Sequence, residues 1–174
     1  MIHIGPAPPS STLDSPIEHL NACHRRIEER LLTLERAGAA LVQRPAEALA
    51  AIQAAFWFFD SSGANHTADE EDSLFPRLTP HLAPEDLQWL AALEAEHARA
   101  EALYDRLKAH VATLPPQPTP AQQDLYAELA AALCSLYRQH IQNEDSRFPL
   151  LASRALSPAD LDAIAREMKL RRGI

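Results

Sequence analysis

The stretch HTADEEDSLFPRL, residues 66–78, governs how the rest of the chain is read. It sets a histidine just ahead of a run of carboxylates, and it returns in altered form as HIQNEDSRFPLL, residues 140–151. Aligning the shared EDS-x-FP phrases puts Thr67, not His66, opposite His140. The partner of His66 could then be Glu70 or Glu71. On a continuous helix a residue four positions on lies about 40° around the axis, and one five positions on lies about 140° away. Glu70 therefore shares the face of His66, and His66–Glu70 corresponds to His140–Glu144. The first segment carries one residue more before its Phe-Pro, so Phe75 and Phe148 should sit differently relative to the two pairs. Asp69, Glu71 and Asp72 are expected to be mainly solvated or neighbouring charges.

The same spacing occurs at His24–Glu28 and His97–Glu101. Positions i and i+4 share a helix face, so each pair can point inward together. Spacing alone is weak, because His81 and Glu85 also match with Pro84 between them. Position along the helices is more informative. Prolines at 45, at 80 and 84, and from 115 to 120 divide the chain into four long segments of helical periodicity. These run over roughly 16–43, 46–78, 84–114 and 120–151, and align Ile17, Leu20 and Ile27, then Ile52, Phe56 and Phe59, then Leu90 and Leu93, then Leu129, Leu133 and Leu136. His24 and His66 lie about 19 and 20 residues from the break between them, and His97 and His140 lie about 17 and 20 from theirs. Helices folded back at each break would bring all four histidines to one level. The expected fold is all-α: an up-down-up-down four-helix bundle over residues 15–174, with a short C-terminal helix after Ser157 and an extended Pro- and Ser-rich tail over residues 1–14.

Composition narrows the function classes. A chain of 174 residues with 47% hydrophobic content can bury a core as one domain, and few glycines favour helices. A formal charge of −8 disfavours nucleic acid and anionic membrane surfaces. No apolar run approaches the roughly 20 residues of a membrane span, and the N-terminus does not read as a secretory signal. Cys23 and Cys134 form no CxxC pair and suit a reducing compartment, so a cytoplasmic location is expected. The terminal KLRR run (169–172) reads as a favourable ending for the last helix.

Histidines and carboxylates gathered in a bundle interior are costly to bury unpaired. A bound cation removes that cost, because neutral imidazoles and ionised carboxylates become its ligands. Nitrogen and oxygen donors without thiolate suggest iron, with zinc or manganese as substitutes. Six to eight donors exceed one tetrahedral zinc and suit two metals bridged by carboxylates.

The phrases ACHRRI (22–27), HTADEEDSLFPRL, EAEHARAEAL (94–103) and HIQNEDSRFPLL, in this order, resemble the hemerythrin-like (HHE cation-binding) family. The resemblance implies a non-haem pair of iron ions, oxo- or hydroxo-bridged, inside a four-helix bundle. His24, His66, His97 and His140 would hold them, with Glu70 and Glu144 as bridging carboxylates. Oxygen-carrying members offer HxxxH on the third helix, whereas this chain has Glu101 at the second position. That departure argues against reversible oxygen carriage and makes Glu101 a candidate terminal ligand. Glu28 is expected outside the ligand set. The implied function is binding or sensing of O2, NO or iron, by a binding protein rather than a dedicated enzyme. The alternative is a di-iron oxidoreductase acting on peroxide or NO, or repairing iron–sulfur centres, for which Tyr104 and Tyr137 stand near the expected layer.

Overall fold

The computed structural model describes residues 12–174, which form helices and short connections with no strand among them. Most of the expected N-terminal tail, residues 1–11, lies outside the described residues. Its last residues are not extended: Leu13 is buried in the core and Asp14 pairs with Lys169 near the C-terminus.

Five helices follow in order. They are α1 (Pro16–Ala40), α2 (residues 45–81), α3 (Pro84–Ala112), α4 (Pro120–Ala155) and α5 (Pro158–Arg171). Each opens with a proline in its first turn, where the missing N–H has no helical partner to lose. Thr119 and Ser157 add capping boxes with Gln122 and Asp160. Helix α1 stops at Ala40, short of the expected Gln43, and α4 runs past Pro149 to Ala155. Pro149 is exposed, while Phe148, Leu151 and Ala152 are buried beside it and hold the helix across the lost hydrogen bond.

Helix α2 departs most from expectation. It contains two π-helical turns, Phe59–Gly63 and Asp69–Leu74, where an uninterrupted α-helix was expected. A π turn holds one more residue than an α turn. The second one absorbs the extra residue that separates the 66–78 and 140–151 segments. Phe75 and Phe148 consequently meet, ring centroids 5.7 Å apart, but their other neighbours differ: Phe75 lies parallel to the His97 ring, and Phe148 packs edge-on against Trp89.

Helix α1 packs against α2 and α4, α3 packs against α4, and α5 lies against α1 and the second π turn. Two apolar clusters result. One gathers residues after His24, before His66, after His97 and before His140, including Ile27, Leu31, Ile52, Phe56, Phe59, Leu107 and Leu133, with Cys23 and Ile141 at its boundary. The other gathers Leu20, Leu74, Phe75, Leu78, Leu93, Phe148, Ile164 and Met168. Histidine-bearing turns lie between them. No helix among the described residues is long and apolar enough to cross a membrane.

The first cluster closes on Tyr126, which is fully buried and donates its hydroxyl to the carbonyl of Leu34 at 2.9 Å. Its ring leaves no room at Gly38, where a Cβ would stand 2.6 Å from Tyr126 Cε1. Alanine is worth about 1 kcal/mol over glycine in a helix interior, yet overpacking a rigid core costs about 1–3 kcal/mol. Gly38→Ala is therefore expected to lower stability in denaturant titration, against its helix propensity.

Candidate metal centre

Four helices each contribute one histidine to a common interior cluster: His24 from α1, His66 from α2, His97 from α3 and His140 from α4. Helices α2 and α4 each add a glutamate one turn after the histidine, Glu70 and Glu144. Both carboxylates are completely buried. The six side chains form two overlapping groups able to hold a metal ion, His24–His66–Glu70–Glu144 and Glu70–His97–His140–Glu144, with the ligand atoms of each group within 4.8 Å of one another.

The shared glutamates divide their oxygens between the groups. Glu70 Oε1 lies 3.4 Å from His66 Nε2 and 3.8 Å from His24 Nε2, while its Oε2 lies 3.4 Å from His97 Nε2. Glu144 Oε2 lies 3.1 Å from His24 Nε2, and its Oε1 lies 3.0 Å from His140 Nε2. Each carboxylate thus presents one oxygen to each side, the arrangement a bridge between two ions requires. None of these four oxygens has a hydrogen-bond partner among the described residues, nor has His24 Nε2. Buried polar atoms are almost always satisfied, so a cluster with this many orphaned donors and acceptors fits cations at its centre.

The outward-facing nitrogens fix how the rings present themselves. His24 Nδ1 donates to Asp145 Oδ1 at 2.7 Å, His97 Nδ1 to Glu71 Oε1 at 2.7 Å, and His140 Nδ1 to Glu96 Oε2 at 2.9 Å. A carboxylate only accepts, so each of these Nδ1 atoms carries a proton and each Nε2 is the atom turned inward, with its lone pair available to a metal when the ring is neutral. His97 Nε2 and His140 Nε2 face each other at 2.9 Å. Two lone pairs at that distance repel unless a proton or a metal ion lies at them. His66 differs: its Nδ1 is buried with no hydrogen bond of normal geometry, and the Cys23 thiol is near enough to influence the ring.

Electrostatics point the same way. Burial opposes a charged His24, but Glu144 and Glu70 override it and raise its pKa to about 11. Burial likewise opposes charge on His97, and Glu70, Glu71 and Glu144 raise it to about 9. Burial would also raise the Glu70 carboxyl, yet His66, His24 and His97 hold it well below the usual range. Burial would raise the Cys23 thiol, and the charge of His66 lowers it instead. Positive charge is demanded at the centre; where no metal supplies it, protons on the imidazoles must.

Glu101 stands outside the cluster. It is exposed and lines the wall of a cleft of about 710 Å3 that also borders Glu71, His97, Tyr104 and Tyr137. His97 reaches the centre from the cleft side of α3, so the residue one turn later falls into the cleft. Glu28 also remains outside, half-exposed and paired with Arg25 at 3.6 Å.

Several participants escape a reading by spacing. Glu71 and Asp145 follow Glu70 and Glu144 directly, and each backs a histidine from a different helix. Glu71 is therefore not merely solvated. The doubled carboxylate was the available signal. Glu96 precedes His97 but serves His140 across the helix interface, which one-helix geometry does not reveal. Asp69, expected to be a mainly solvated or neighbouring charge, is fully buried against Arg171 and Arg172, so the terminal KLRR run is more than a helix ending.

The family model described as hemerythrin HHE cation binding domain matches residues 15–151 of the chain. None of the curated proteins matches it.

Two outcomes are expected. Replacing an outer carboxylate by its amide (Glu71→Gln, Glu96→Gln or Asp145→Asn) should weaken metal retention about 10- to 100-fold in chelator competition, while Glu28→Gln and Glu101→Gln stay near wild type. His24 and His97 hold protons at neutral pH without metal, because their pKa values are raised above it. Loading at pH 7 should therefore release protons, measurable by pH-stat titration, and retention should weaken as the pH falls.

Proposed function

The chain belongs to the hemerythrin HHE cation-binding family, and on that premise we propose that it holds two iron ions and uses them to bind or sense a diatomic ligand, O2 or NO. The observation that carries this reading is the division of the Glu70 and Glu144 oxygens between two histidine pairs. His24 and His66 would hold one ion, His97 and His140 the other, with Glu70 and Glu144 spanning both. Alternation of the apolar clusters above and below the histidines supports an up-down-up-down bundle.

Iron, when bound, supplies redox chemistry and coordination positions that the protein leaves free. Each group offers four residues, fewer than the six donors iron commonly accepts, so room for a small ligand remains beside each ion. The donor set of imidazole and carboxylate without coordinating thiolate suits iron, and zinc or manganese would substitute. The chain's own work is to orient and to exclude. Asp145, Glu71 and Glu96 hold three rings with Nε2 inward, while Phe56, Phe59 and Phe75 keep bulk water from the interior side.

A ligand would approach along the cleft. His97 lines it, and its side chain is 10% exposed against 0% for His24. Glu71, Asp72, Glu94, Glu101 and Asp105 make that wall acidic, which disfavours anions and admits neutral diatomics. A cytoplasmic location fits the two free cysteines.

The oxidoreductase reading draws on Tyr137, which lines the same cleft. Burial, reinforced by Glu70, pushes its hydroxyl up to about 12 and keeps it a proton donor. Steady-state turnover of peroxide or NO by iron-loaded protein, lost in Tyr137→Phe, would favour that reading over binding alone.

Purified protein is expected to carry two irons per chain by elemental analysis, and to lose them in Glu70→Ala and Glu144→Ala. Chelation should lower the melting temperature, because metal binds the folded chain selectively. A wild-type protein that neither retains nor takes up iron would overturn the proposal.

A further inference from the structure

Glu70 lies within the π turn Asp69–Leu74. Such turns are rare and are held in place by their surroundings. Here the surroundings are supplied by α5, which lies beyond residues 15–151. Asp69, immediately before Glu70, is fully buried. Arg172 Nη2 donates to its Oδ2 at 2.7 Å, and Arg171 Nη1 and Arg172 Nη1 donate to its Oδ1 at 2.7 and 3.2 Å. Arg171 also reaches the far end of the turn, where Nη2 donates to Ser73 Oγ at 2.8 Å. One turn later Arg77 forks onto Glu167 of α5 at 2.7 and 3.0 Å while donating to the carbonyl of Ser73 at 2.8 Å. The helix therefore grips both ends of the six-residue turn and the residues that follow it.

From this geometry we propose that Arg171 and Arg172 are positioning residues of the metal centre. By neutralising Asp69 and bridging to Ser73, they hold the π turn open at the width that aims both Glu70 oxygens at the histidines. The last helix is thereby part of the metal site although it supplies no ligand, and ion retention depends on its docking. The inference rests on the two-metal reading above. An exposed carboxylate at position 69 would need no such clamp; a buried one needs both guanidiniums, because an unpaired charge in that place is costly. Arg171 forms its two contacts with the separate prongs of one guanidinium, a geometry that lysine cannot reproduce.

Cobalt(II) serves as the probe, since its visible bands report coordination geometry independently of any activity. Wild-type protein, the triple variant D69N/R171Q/R172Q and the control Lys169→Ala are loaded, and release to a chelator is timed. The triple variant removes the acid and both bases together, so no lone charge is left buried. Lys169 sits on the same helix and pairs with Asp14, not with the π turn. The triple variant is expected to release cobalt at least about tenfold faster, the lower range for loss of an outer partner, with altered visible bands. The control keeps the wild-type rate and spectrum. If the triple variant does not fold, Arg171→Lys carries the same test, with faster release expected despite the retained charge. Wild-type release and spectrum in a folded variant would overturn the clamp while leaving the two-metal centre standing. A wild-type chain that takes up no cobalt or iron would overturn both.

Discussion

The structure turns on two carboxylates buried without hydrogen bonds, Glu70 and Glu144. An ionised carboxylate stripped of water costs several kcal/mol unless cationic charge meets it. Each of the four inward histidines answers that demand in part, by proton or by metal. One oxygen of each glutamate faces each histidine pair, so the demand for positive charge is divided between two places. That division is the observation on which the two-ion proposal rests.

The rest of the molecule keeps that arrangement from relaxing. Apolar clusters on either side prevent water from solvating the glutamates, so their charge stays undiluted. Outer carboxylates then fix the ring faces of His24, His97 and His140, and their charges offset much of what two dications would bring. His66, which has no such outer carboxylate among the described residues, makes the two ends of the centre unequal. Away from the centre, Asp60 at the start of the first π turn is tied to α3 by Tyr104 and Lys108, as Asp69 is tied to α5. Both irregular turns in α2 are pinned by an acid from within and bases or a hydroxyl from without.

Much of this was legible in the residues. Prolines at helix starts and a period near 3.6 gave the helices, because both are local properties of the chain. The i, i+4 rule brought Glu70 and Glu144 to their histidines on α2 and α4, where the ring and the carboxylate both face inward. The same rule does not carry to Glu28, which was expected outside the ligand set, or to Glu101, because α1 and α3 meet the centre with one edge and the next turn faces solvent or the cleft. Partnerships across helices were not legible at all. Glu96 with His140, Asp145 with His24 and Asp69 with the terminal arginines join residues far apart in sequence, and only packing decides them. The resemblance to the family, resting on motifs from 22 to 151, could say nothing of α5.

The puzzle of the mismatched phrases has a physical meaning. A π turn is an α-helix with one residue added, and the segments on either side of it stay in register. The helix that follows, with Phe75 and Leu78 in the core, could be reached just as well by a chain one residue shorter. Helical register alone therefore does not account for the added residue. What it changes is the wall of the cavity, because both Glu70 and the buried Asp69 stand inside the turn. At this point the chain carries one residue more than its counterpart on α4, and the turn that houses it is the one that bears Glu70.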